Sequence, residues 1–190
     1  KSHEKNFLSW RQIELQQDSF ISVNFMGEVL KLSSTDFTIK KVAQVDYEPA
    51  KHSLQGKYYV VTGRDRGTVW KPTGKDYVTI FDSATYEKIS SFEVDLVNEP
   101  IEYGVRRAWI ADIAIDPVSQ SIAFSTWWDD GGAKMITSKT VQLFDINSGK
   151  FIKNVLSNFP VENGLFFNTS DETLGEIQVL GKTWQAKLNL

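Results

Sequence analysis

One pattern occurs twice in this chain, and its two copies restrict the fold more than any other feature of the sequence. Val78-Thr79-Ile80-Phe81-Asp82 is followed by Thr85 and Ile89, and Val141-Gln142-Leu143-Phe144-Asp145 is followed at the same offsets by Ser148 and Ile152. A weaker third copy precedes them as Val29-Leu30-Lys31-Leu32-Ser33, with Ile39 in the segment beyond. Leu32, Phe81 and Phe144 align, which sets the copies 49 and 63 residues apart. Apolar residues alternating with polar ones, closed by Asp or Ser, mark a strand running into a tight turn. Recurrence at this spacing makes each copy part of one small sheet that buries its faces against neighbouring copies.

Elsewhere apolar residues also recur with period two in short runs bounded by turn residues, and no long stretch carries the 3.6 period of an amphipathic helix. The expectation is all-β. Trp109 to Ile115 and Ser121 to Ser125 are predicted as two strands around the turn Asp116 to Gln120, with Val141 to Ile146 and Phe151 to Leu156 as a hairpin around Asn147 to Lys150. Four antiparallel strands per repeat is the make-up of a β-propeller blade. The same reading gives Phe7 to Leu15, Ser19 to Phe25, Glu28 to Leu32 and Thr38 to Val45 for the first blade. Lys57 to Thr62, Tyr77 to Phe81 and Lys88 to Val94 follow in the second, after a first strand near Asp46 to Ser53 that Pro49 weakens. Three strands remain for the tail: Gly164 to Asn168, Gly175 to Leu180 and Thr183 to Leu188. About four blades result, at 7–46, 47–97, 98–158 and 159–190, as a small ring or an arc of a larger propeller. If Phe7 to Leu15 were lent to the tail blade, the ring would close.

Thr140 to Lys150 resembles the third strand and following turn of a WD repeat, with Phe-Asp in place of Trp-Asp, and Ile113 to Phe124 resembles the two strands before it. The Phe-Asp ending is also similar to the repeats of YVTN-type and amine-dehydrogenase-like propellers. The resemblance runs from Lys57 to Leu156. With His3 and His52 the only histidines, the Asp-His-Ser/Thr-Trp hydrogen-bond tetrad of many WD repeats has no counterpart in the third blade. What the resemblance implies is a binding scaffold. Such repeats usually form rings of about seven blades, which favours a chain that is part of a larger propeller or assembly.

Composition narrows the function. With 41% apolar and 13% aromatic residues, the 190 residues can bury a sizeable core, and one domain over 1–190 is the default. A formal charge of −3 without runs of like charge argues against a nucleic-acid partner. No stretch approaches the roughly 18 apolar residues of a membrane span, which predicts a soluble chain. The absence of Cys removes disulfides and thiolate chemistry but leaves the compartment open, cytoplasmic or periplasmic and secreted alike.

Two segments interrupt the blade spacing between equivalent strands, Gly63 to Asp76 and Trp127 to Lys139, and so are expected to emerge from the same end of the sheets. Loops on a rigid scaffold are where binding residues concentrate. Trp70, Trp127 and Trp128 lie in them, beside Arg64, Arg66, Asp129 and Asp130. Tryptophan and arginine anchor interfaces, the guanidinium pairing with carboxylates or stacking on rings; equally, an indole folding back over a blade edge would explain the tryptophans. Asp129-Asp130-Gly131-Gly132 lacks the alternating oxygens and later Glu of a calcium loop and reads as a solvated turn. Pro72 to Asp76 lacks the first glycine of a phosphate loop and reads as a hairpin tip. Asp112 and Asp116 fall near a first strand, where a channel cation or a capped turn would account for them. His52 reads as an exposed loop residue without catalytic partners. These residues predict a noncatalytic scaffold that binds a protein or peptide, a partner completing the propeller included, with no catalytic residues, metal or cofactor. The alternative is a propeller enzyme or the propeller subunit of an exported amine-dehydrogenase-like oxidoreductase.

Overall fold

The period-two runs become strands, and within each sheet the strands pair in sequence order. The computed structural model describes residues 13–64, 75–96, 100–101, 104–105, 108–116, 119–129, 135–156, 165–167, 176–180 and 185–189. Among the described residues every regular element is a strand. The chain divides into two units, Lys1–Ile89 and Ser90–Leu190.

The first sheet runs in the order β1 (Glu14–Gln16), β2 (Ser19–Val23), β3 (Glu28–Ser33), β4 (Ile39–Gln44). The second runs β5 (Glu48–Gln55), β6 (Tyr58–Arg64), β7 (Asp76–Asp82), β8 (Lys88–Val94). A short hairpin of β9 (Pro100–Ile101) and β10 (Gly104–Val105) follows, which the sequence reading did not anticipate. The third sheet is β11 (Ala108–Asp116), β12 (Ser121–Asp129), β13 (Met135–Asp145), β14 (Phe151–Leu156). The tail forms a three-stranded sheet of β15 (Leu165–Phe167), β16 (Glu176–Leu180) and β17 (Gln185–Asn189). Three four-stranded antiparallel meanders and a three-stranded one are thus present, as the strand pattern predicts. Of the expected first strand Phe7 to Leu15, residues 7–12 lie outside the described residues, and Glu14 pairs with Ile21 of β2.

The sequence repeat is a backbone repeat. At the β7–β8 turn, Asp82 Oδ1 accepts the N–H groups of Ala84 (2.8 Å) and Thr85 (2.9 Å). At the β13–β14 turn, Asp145 Oδ1 accepts those of Asn147 (3.1 Å) and Ser148 (2.7 Å). In the β3–β4 turn Ser33 Oγ does the same for Thr35 (3.3 Å) and Asp36 (3.4 Å), which is why the weak copy still turns. The residue after each acceptor donates back to the first hairpin of its own sheet: Ser34 to Asp18, Ser83 to Lys57 and Ile146 to Gln120. Each turn closes through one left-handed residue, Phe37 (φ 55°), Tyr86 (φ 60°) or Gly149 (φ 68°). Glycine is the unstrained choice there, and at Gly149 a Cβ would also collide with the ring of Phe92.

Pro49 weakens β5 less than expected. The strand runs its full length because Pro49 pairs with Gly63 beside a bulge that skips Ala50, on a strand that edges its sheet. In the first unit Ile21, Val23, Val29, Val45, Tyr59 and Phe81 form the buried core with Tyr47 and Tyr86. In the second, the Phe124 and Phe144 rings meet at a tilt with centroids 5.5 Å apart, and Ile113, Ile122 and Val141 of the same sheet are buried. Burying each such side chain contributes about 1.5–3 kcal/mol, so the repeated Phe81 and Phe144 hold their own sheets together.

Candidate functional site

In the first unit, the end of the sheets that carries the β2–β3 turn is built around Asn24. Its side-chain oxygen accepts the N–H groups of Met26 and Glu28, each at 3.0 Å, and its amide donates to Glu28 Oε2 at 2.8 Å. Glu28 also meets Lys41 at 3.3 Å. The Asn24 amide first, and then Lys41, hold the Glu28 carboxyl below its usual range. Gly27, at φ 83°, presses against Val45 and accepts its N–H at 2.9 Å, while Gln44 donates to the Met26 carbonyl at 3.0 Å. The turn is therefore fixed on every side, yet its tip faces solvent: Phe25 is 62% and Met26 47% exposed.

The segment after Val45 joins this turn to the equivalent end of the second sheet. Tyr47 stacks on Tyr77 at 5.5 Å and donates from its hydroxyl to the Val61 carbonyl at 2.7 Å. Burial pushes the Tyr47 phenol up, so it stays protonated. Just beyond, where β6 and β7 leave the sheet, Arg64 Nε pairs with Asp76 Oδ1 at 2.8 Å, both side chains largely withdrawn from solvent. Desolvation offsets much of the attraction in such a pair. Its contribution is to fix where the intervening loop starts and ends.

The expected site residues divide as follows. Arg64 belongs to β6 and its guanidinium faces Asp76, so the loop begins later than the sequence spacing suggests. Arg66, Trp70 and Asp130 lie outside the described residues. Trp127, Trp128 and Asp129 stand in β12 instead of a loop, because β12 and β13 extend as a long arm that pairs Trp127 with Thr137, Trp128 with Ile136 and Asp129 with Met135. A register irregularity between Ser125 and Trp127 breaks the alternation, which is why the arm did not read as strand.

Two further expectations are corrected or decided. His52 is buried in β5 with its ring 5.6 Å from that of Tyr59, not exposed in a loop, since the bulge beside Pro49 turns it inward. Asp116 ends β11, and its carboxylate caps the turn that follows: Ser119 donates to it and lies 2.7 Å from Ser121.

At the opposite end of the first unit's sheets lies a half-open cleft of about 660 Å³. Gln16, Asp18, Lys31, Lys40, Gly56 and Ser83 are among its walls. Gln16 spans the two sheets, donating to the Ser83 carbonyl and accepting the Tyr86 hydroxyl. Sequence reasoning missed Phe25 and Met26 as well as this cleft. An apolar pair within a turn was the available signal for the first; the second depends on strand register.

No protein-family model matches the chain, and no curated protein matches it in sequence. Among solved structures it is similar to the beta-propeller domain of Cps50 (Swd1) from Myceliophteria thermophila, with TM-score 0.56 and 14% identity over 94% of this chain and 50% of that one. It is also similar to the computationally designed Ika4 protein, at TM-score 0.48 and 9% identity over 94% and 89% of the two chains. BamB from Moraxella catarrhalis follows at TM-score 0.44 and 8% identity over 92% and 45%. This chain spans about half the length of the Cps50 domain, 50% by coverage. The likeness to that domain, joined to the four-stranded meanders, makes this an all-β chain of propeller blades.

Proposed function

We propose that the chain is a noncatalytic propeller module that holds a protein or peptide partner, on the β2–β3 and β6–β7 strand ends in the first unit and, as a separate contact, on the β12–β13 arm in the second. The observation that carries this reading is the Asn24 turn, which presents Phe25 and Met26 to solvent from a backbone fixed by hydrogen bonds to Asn24, Gln44 and Val45. A preorganised apolar tip loses little freedom on binding. Arg64, paired with Asp76, sets where the β6–β7 loop begins, and the arm bearing Trp127 and Trp128 supplies further anchors of a residue type that dominates interfaces.

The test begins with crosslinking in native extract to identify the partner and proceeds to affinities with that partner purified. Phe25→Ser with Met26→Ser, and Trp127→Ala with Trp128→Ala, are each expected to weaken binding by about tenfold or more while the melting temperature barely moves. Unchanged affinity in both double variants, or loss that merely tracks unfolding, refutes the reading. The oxidoreductase alternative predicts a bound chromophore or metal in purified material, read directly by absorbance and mass spectrometry.

A further inference from the structure

The cleft at the other end of the first unit has a charge arrangement that its own fold does not balance. Lys31 of β3 and Lys40 of β4 are direct cross-strand partners, and both line the cleft. Like charges placed opposite each other in a sheet are destabilising. The adjacent lysine shows the usual remedy: Lys41 has Glu28 at 3.3 Å. Among the described residues, neither Lys31 nor Lys40 has such a carboxylate in an ion pair. Lys31 is instead held with its ammonium 5.7 Å from the centroid of the Tyr86 ring.

The register that creates this pair is built in. A bulge between Val29 and Leu30 leaves Val42 unpaired, and it is this slip that brings Lys40 opposite Lys31; unbroken pairing from Val29 would have placed Lys41 there. The remaining walls are mixed, with Gln16, Ser33 and Thr38 polar and Leu54 and Ala84 apolar. Asp18 is the one carboxylate-bearing residue of the lining beside the two lysines, and its main-chain carbonyl is already taken by the N–H and hydroxyl of Ser34 at 3.0 and 2.7 Å. At Gly56 the wall leaves open space, since a Cβ there would meet nothing within 4 Å. A volume of about 660 Å³ is of the size that takes a small molecule.

We propose that this cleft binds a small organic anion bearing a carboxylate or phosphate, with Lys31 and Lys40 clamping the charged group across the β3–β4 pair. This site is separate from the partner-binding end and stands or falls independently of it. Isothermal titration and amide NMR with citrate and with inorganic phosphate, each against sodium chloride at matched ionic strength, test it. Saturable binding of at least one probe is expected, with shifts at Lys31, Lys40 and Gly56, and the probe that binds identifies the preferred head group. Lys31→Gln with Lys40→Gln is expected to weaken binding by about tenfold or more, while Lys31→Arg with Lys40→Arg retains it. A thermal melt of each variant checks that the fold is intact. No saturation beyond the chloride control, or equal binding by the glutamine variant, overturns the proposal.

Discussion

Two buried tyrosines in the first unit lead to opposite expectations. The Tyr47 hydroxyl donates to Val61 and lies 3.0 Å from Thr79 Oγ1, whereas the fully buried Tyr59 hydroxyl has no hydrogen-bond partner among the described residues. Removing a satisfied buried hydroxyl costs about 1–2 kcal/mol, because its former partner is stranded, while removing an unsatisfied one relieves a desolvation cost. Tyr47→Phe is therefore expected to lower stability by about that amount, and Tyr59→Phe to leave it unchanged or raise it by up to about 1 kcal/mol. Urea unfolding of both variants reads the difference; equal losses would show that Tyr59 is bonded after all. Neither role was legible beforehand, since Tyr47 lies in the bend between β4 and β5 and Tyr59 in an unbroken buried run, and neither setting says what meets the hydroxyl.

At the scale of the element, the aspartate turns connect the fold to pH. Hydrogen bonds from the Thr85 and Ala84 N–H groups hold Asp82 below the usual aspartate range, and the Ser148 hydroxyl and N–H do so for Asp145. A depressed folded value means the stabilisation is fully present above the unfolded aspartate value of about 3.9 and is lost as pH falls below it through the folded values. Asp82→Asn with Asp145→Asn keeps the turn acceptor and removes the titration. Its unfolding midpoint in urea is expected to fall less between pH 5 and pH 3 than that of the parent. An identical acid limb would show that these turns do not contribute. Much of this element was readable in advance: Asp82 and Asp145 ended the repeated strands, and the third copy was found through Leu32. What stayed hidden was register. The bulges at Val42 and Ala50 set the Lys31–Lys40 pair and turned His52 inward, and the arm through Trp127 and Trp128 loses its alternation at the Ser125 irregularity. A single skipped residue reverses which face a side chain takes, and composition carries no trace of it.

For the molecule as a whole, the sheet orders make hydrogen exchange predictable. Central strands lose exchange competence from both sides, edge strands from one. Amides of β2, β3, β6, β7, β12 and β13 are expected to exchange slowest within their sheets and those of β1, β4, β5, β8, β11 and β14 faster. The reverse ranking in any sheet would contradict its strand order. The strictly sequential order also has a consequence in time. Because every described sheet is a meander of consecutive strands, no described strand waits for a distant segment before it can pair. At synthesis rates of about 5–20 residues per second, each sheet can complete its ladder within seconds of its last strand leaving the ribosome. The described sheets are thus suited to assemble in the order in which they are made, one hairpin at a time.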